Sequence, residues 1–180
     1  MAQPYLQRLE ELFWPKGGTR DVWALVDGAR ERRVYITLLD SYLNYKCLYS
    51  GTLPPELEAA APYLVQLEHE DQYTRRLLNL AWGNSWGVFL KCDTSIETLR
   101  RHLRGFLLVQ DWRARRLVFR YYDPRVLRVY LPTCTPDELR TVFGTIERFW
   151  MEDESPETML EFRFDGRKLS QAEAPLAPAG

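Results

Sequence analysis

Apolar positions along this chain alternate between helical and strand-like spacing. Residues 4–14 read as a helix: Leu6, Leu9 and Phe13 recur at i, i+3 and i+7, and Leu12 widens the stripe. Pro15-Lys16-Gly17-Gly18 breaks it. Residues 22–26 (VWALV) are continuously apolar and end at Asp27-Gly28, the pattern of a strand buried on both faces. A helix over about 29–42 is expected next, with Val34, Tyr35, Leu38, Leu39 and Tyr42 inward. Short strands follow at 46–50, closed by Gly51, and at 61–67, where Pro62 near the start is tolerated. Residues 71–82 are helical, with Tyr73, Leu77, Leu80 and Ala81 on one side, and 86–91 form a strand.

Beyond residue 92, Thr94 and Glu97 have the spacing of a capping box. Ile96, Leu99 and Leu103 mark the buried face of the helix they would start, and Gly105 can end it. Residues 106–110 and 116–122 predict a hairpin across 111–115. Asp123-Pro124 then turns the chain into a short helix, with Asp123 as cap, Pro124 at the first helical position, and Val126, Leu127, Tyr130 and Leu131 on one face. Pro132 ends it. Thr135-Pro136-Asp137-Glu138 is a second capping box, leading a helix that Gly144 stops. Residues 145–151 and 159–164 alternate and are expected to pair around the acidic loop 152–156. The Ala/Pro-rich stretch 172–180 reads as disordered.

The pattern predicts a single α/β (mixed α+β) domain with a mixed β-sheet, flanking helices and an antiparallel C-terminal portion. Its divisions are an N-terminal helix and linker (1–21), a core (22–144), a C-terminal hairpin extension (145–171) and the tail (172–180). At 180 residues, 46% hydrophobic and 13% aromatic, the chain can build a sizeable core. No apolar run reaches the roughly 18 residues of a membrane span. The first residues, MAQPYLQRLEELFW, carry charges and no small-residue cleavage site, unlike a signal peptide. A cytoplasmic protein is expected.

Candidate chemistry is sparse. Cys47, Cys92 and Cys134 are far apart and form no CxxC, so buried reduced thiols are expected. His69 and His102 stand in no metal-ligand spacing, and no cofactor is implied. Gly83-Asn84-Ser85-Trp86-Gly87 matches GxSxG, which would make Ser85 the nucleophile of a small serine hydrolase. A nucleophile elbow, however, needs a strand entering and a helix leaving, and here the order is reversed. Asp27 ends a buried strand, and Gly28-Ala29-Arg30 can cradle an anion, but the spaced glycines of a phosphate loop are missing, so Asp27 is read as a capping residue.

Net charge is −1, yet it is unevenly spread. Between Arg100 and Arg128, nine arginines face only Asp111 and Asp123. With Trp112, Tyr121, Tyr122 and Tyr130 this basic region has the residue types of a nucleic-acid surface, but the near-neutral total and the lack of a module signature argue for a protein interface. Arg120 and Arg125 flank Asp123, so a charge-assisted cluster at the turn is expected.

Taken in order, WALVDGA (23–29), CLYSG (47–51), APYLVQL (61–67), Trp82-Gly83, LRRHLRGFLLV (99–109), FRYYDPRVLRVYLP (119–132) and Phe143-Gly144 resemble the effector-chaperone or adaptor domain of bacterial type VI secretion, long catalogued as a domain of unknown function. The resemblance covers about 22–144 and implies a non-enzymatic cytoplasmic adaptor. Such an adaptor binds a cognate toxic effector and helps load it onto the valine-glycine-repeat spike protein, VgrG. The family has no agreed catalytic residues. Trp112, Arg113, Arg115, Tyr122, Arg125 and Tyr130 are the candidate partner-binding residues, forming one face from the hairpin tip and the Asp-Pro-Arg turn. Asp27, Gly28, Arg120, Asp123 and Pro124 are the candidate structural motif. The competing reading is that Arg120 and Arg125 merely lock Asp123.

Overall fold

The fold is seen in a computed structural model that describes residues 5–15 and 21–176. Lys16-Gly17-Gly18 of the expected break, the start of the first helix at Pro4 and the last residues of the expected tail lie outside these. One sheet is built from β1 (Val22–Asp27), β2 (Tyr45–Cys47), β3 (Pro62–Gln66), β4 (Gly87–Lys91), β7 (Arg148–Glu152), β8 (Thr158–Phe164) and β9 (Leu169–Pro175). Its seven strands stand in the order β2-β3-β1-β4-β7-β8-β9. A separate two-stranded ribbon pairs β5 (Leu108–Gln110) with β6 (Arg116–Val118). The helices are α1 (Leu6–Phe13), α2 (Arg32–Leu39), α3 (Pro55–Ala59), α4 (Gln72–Ala81), α5 (Ile96–Arg104), α6 (Pro124–Tyr130) and α7 (Pro136–Phe143).

The α/β class and the flanking helices are as the pattern predicted. The antiparallel pairing expected near the C-terminus runs through every neighbour of the seven-stranded sheet, so its N-terminal half is antiparallel too. Register explains the apolar run at 22–26. Leu25 lies between Leu64 of β3 and Val88 of β4, in the middle of the sheet. Trp23, Leu25, Val88, Leu90, Phe149 and Met151 face α5, α6 and α7. Val22, Ala24, Val26, Phe89 and Trp150 face α1, α2 and α4. Successive residues of a strand point to opposite faces, so a strand covered on both sides must be apolar at every position.

Several elements depart from the pattern. Asp27 does not cap a helix. Its carboxylate accepts from the Ala29 amide at 3.0 Å in a turn, and α2 starts later, at Arg32. On this shorter helix the buried stripe is Val34, Thr37 and Leu38, while Leu39 at its end and Tyr42 beyond it are exposed. Ser95, not Thr94, caps α5, accepting from the Thr98 amide, because one residue's shift puts its hydroxyl over the third helical amide. Arg120 to Tyr122 leave the strand: the Asp123 amide donates to the Arg120 carbonyl, and Tyr121 and Tyr122 are both buried instead of alternating.

The largest correction is the C-terminus. Residues 172–175, expected to be disordered, belong to β9, which pairs with β8 from Leu169↔Phe164 to Pro175↔Thr158. Leu176 beyond it is 2% exposed. Backbone pairing orders a sequence whose small side chains gave no local strand signal, and Pro175 is tolerated because β9 is an edge strand. The hairpin β7–β8 is therefore not an appendage. It continues the central sheet through β4, with Phe89 opposite Trp150.

The second capping box forms as predicted, with Thr135 and Glu138 bonding reciprocally. Gly144 ends α7 at φ +51°, and a Cβ there would come within 2.5 Å of the His102 ring. Both constraints call for glycine.

Candidate functional site

At the end of the sheet where β1 finishes and β4 begins, loops bring together charged groups distant in sequence. Asp27 and Asp123 are 1% and 3% exposed. The Arg120 guanidinium donates to the Asp27 carboxylate, 93 residues away, and lies 4.0 Å from Asp123. Arg125 takes Asp123 in a two-pronged grip, its Nε donating to Oδ1 at 2.9 Å and a terminal nitrogen to Oδ2 at 2.6 Å. The Arg125 amide also donates to Oδ1 at 3.0 Å, which makes Asp123 the N-cap of α6, with Pro124 at the first helical position. So the expected capping and charge cluster at Asp123 are present, but Arg120 is directed chiefly to Asp27.

The electrostatics follow from this geometry. Burial alone would raise the Asp123 carboxyl, but the hydrogen bonds from the Arg125 side chain and amide outweigh it and hold the group below its ordinary value. The bond to Asp27 raises Arg120, against the opposing effect of burial. Tyr122, which precedes Asp123, is 2% exposed. Burial, followed by the charges of Tyr49 and Asp27, pushes its hydroxyl well up. Gly28 is required here by close approach: a Cβ would fall 2.5 Å from the Ala59 carbonyl oxygen. Buried carboxylates sealed by half-exposed arginines make a clamp joining the Asp-Pro-Arg turn to the central strand.

The same end of the sheet holds the GxSxG segment. Ser85 has φ +53° and its amide and hydroxyl both donate to Glu152, at 2.9 and 2.7 Å. Gly83 donates its amide to the same carboxylate. Glu152 is 6% exposed at the end of β7. The sequence pattern placed it in the acidic loop 152–156. Its place two residues after Trp150, on the same face of an alternating strand, was the available signal. His102 is engaged elsewhere, its Nε2 within 2.9 Å of the Val142 carbonyl oxygen. Ser85 therefore has a carboxylate partner but no imidazole, and a helix, α4, enters the turn while a strand, β4, leaves it.

Burial pushes the thiols of Cys47, Cys92 and Cys134 up, away from thiolate reactivity, and none forms a disulfide. Among the described residues no group of three or more His, Cys, Asp or Glu is placed to hold a metal. No described helix is long and apolar enough to cross a membrane.

The candidate partner-binding residues divide into two groups. Trp112, Arg113 and Arg115 lie together at the tip of the β5–β6 ribbon. Trp112 is 84% exposed with the Arg113 guanidinium 4.3 Å from its ring, and Arg115 pairs with Asp111 at 2.7 Å. The others are not part of that tip. Tyr122 is buried, Arg125 is committed to Asp123, and Tyr130 packs on Phe119 with ring centroids 4.7 Å apart. Burial raises the Tyr130 hydroxyl to about 12. Conspicuous beside the tip are Leu108, Val109, Leu117 and Val118, all exposed on the ribbon itself. The hairpin expected from 106–110 and 116–122 is present, but its pattern did not say that these side chains stay uncovered.

The molecule is thus a three-layer domain around an antiparallel sheet, with a clamped turn at one end and an apolar ribbon standing off the core. Residues 22–141 match the family described as Domain of unknown function (DUF4123), and the chain belongs to that family. No curated protein and no solved structure matches it.

Proposed function

We propose that this protein is a non-enzymatic adaptor of bacterial type VI secretion, binding a cognate toxic effector in the cytoplasm and helping to load it onto the VgrG spike. Family membership supports this reading through the markers between Trp23 and Gly144, which resemble that adaptor domain. The observation that carries it is the β5–β6 ribbon. All six of its strand residues are exposed, four of them large and apolar, and its tip presents Trp112 and Arg113. Tryptophan and arginine are the residues on which protein interfaces concentrate their affinity. A stable interface buries about 1,200 Å² or more, so a partner is expected to cover the ribbon's flanks as well as its tip.

The clamp has a supporting role. It fixes the turn from β6 into α6, so the ribbon is held on a rigid base while its surface stays free. Arg125 is thereby a structural residue, and the recognition face is the ribbon rather than the ribbon plus the Asp-Pro-Arg turn.

The test is co-purification of the tagged protein with a spike protein and a toxin from neighbouring genes. Trp112→Ala combined with Arg113→Glu is expected to abolish capture of at least one partner with the melting temperature unchanged. Undiminished capture of both would reject this face. Turnover of an ester probe by the purified chain, abolished in Ser85→Ala, would reject the non-enzymatic reading.

A further inference from the structure

The β5–β6 ribbon has unused hydrogen-bonding groups on both sides. Phe119 donates its amide to the Leu107 carbonyl and Asp111 to the Arg115 carbonyl, so the hydrogen-bonded positions of the ribbon are 107:119, 109:117 and 111:115. The amides and carbonyls of Leu108, Gln110, Arg116 and Val118 therefore point outward, and neither strand has a second neighbour among the described residues. An isolated two-stranded ribbon is marginal in water, and open apolar edges invite pairing.

Beneath the ribbon lies a cleft of about 440 Å³, walled by Leu48, Tyr49, Leu53 and Leu57 on one side and by Leu107, Leu108 and Val118 on the other. That volume suits a small number of apolar side chains. Arg104 lines the cleft, and Arg116 shares the ribbon face of Val118 by strand alternation. Arg101, Arg104, Arg113 and Arg116 make no ion pair among the described residues, and from Thr98 to Tyr122 the sole acid is Asp111, already held by Arg115. Glu56 and Glu58 flank Leu57 on the far wall, so negative charge on an occupant is steered toward the ribbon wall.

Resting on the adaptor reading and naming its partner's chemistry, we propose that this cleft and one ribbon edge receive an extended segment of another protein whose cleft-facing side, every second residue, carries both apolar and acidic side chains. The segment adds a strand to the ribbon, inserts its apolar side chains into the cleft, and sets its carboxylates against Arg104 and Arg116. Main-chain bonds supply affinity and alternate side chains supply selection, as in other strand additions.

The probe is a short fluorescein-labelled peptide in which leucine and glutamate take turns at every second position with threonine between them, followed by fluorescence anisotropy, and the control carries lysine in place of glutamate. The acidic peptide is expected to bind, more weakly as salt rises, and the lysine peptide is not. Leu57→Glu, which leaves the ribbon untouched, and Arg104→Gln with Arg116→Gln are each expected to weaken binding about tenfold or more. Hydrogen exchange should slow at Leu108 and Gln110 or at Arg116 and Val118 when the peptide binds. Absence of binding, equal binding of both peptides, insensitivity to these variants, or unchanged exchange at both edges (the result for a docked helix) each overturns the proposal. So does a dimer in light scattering that Leu57→Glu dissolves, since the occupant would then be a second copy. Spike and toxin capture that survives in Leu57→Glu removes this cleft but leaves the adaptor reading. Peptide binding without capture of either partner does the reverse.

Discussion

Removing the Asp123 carboxylate separates its two structural jobs. Asp123 caps α6 through the Arg125 amide and holds the Arg125 guanidinium through both oxygens. Loss of an N-cap costs about 1 kcal/mol. The ion pair contributes less than its geometry implies, because the Arg125 side chain is 46% exposed and solvent screens it, so below about 1 kcal/mol is assigned to it. Asp123→Ala is therefore expected to cost about 2 kcal/mol in all, a fall of about 4–8 °C in melting temperature for a domain of this size. Asparagine caps a helix as well as aspartate does, so Asp123→Asn is expected to lose only the charged part, about half that fall. Thermal unfolding followed by circular dichroism reads both. The acid limb adds a second check. The folded carboxyl lies below its ordinary value, so its stabilisation is fully present above the unfolded value of about 3.9 and disappears as pH falls through the folded value. The gap between wild type and Asp123→Asn should close in strong acid. Equal losses for alanine and asparagine, or a gap that persists in acid, would refute the division between cap and charge.

Other expectations follow from single contacts. Gly144→Ala places a Cβ against His102 in a left-handed turn and should destabilise by more than about 1 kcal/mol, read as a lower urea midpoint; an unchanged midpoint would contradict the turn geometry. Truncation after Gly166 removes β9 and bares the edge of β8, so it should lower the melting temperature and promote aggregation in light scattering, whereas a disordered tail would be dispensable. Phe149→Ala, at a fully buried site between α7 and the sheet, should cost about 3–5 kcal/mol by chemical denaturation.

Local pattern determined a good part of this protein. The doubly buried strand at 22–26, the helix at 72–81, the capping box at 135–138 and the β7–β8 pair were legible because each rests on the spacing of neighbouring residues. Motif order likewise marked out one family domain over 22–144, nearly the span over which the domain-of-unknown-function family matches, 22–141. Tertiary structure alone decided which distant groups meet. Arg120 has Asp123 three residues away, yet its guanidinium donates to Asp27, because β6 and β1 deliver the two side chains to the same end of the sheet. Glu152 is assigned to Gly83 and Ser85 by the β4–β7 pairing, and Tyr122 is buried because the chain turns inward before α6. Residues 172–175 are ordered by bonds to β8 that no local spacing records. Short-range periodicity fixes what a segment tends to become; long-range pairing fixes its neighbours, and burial and charge partners depend on those neighbours.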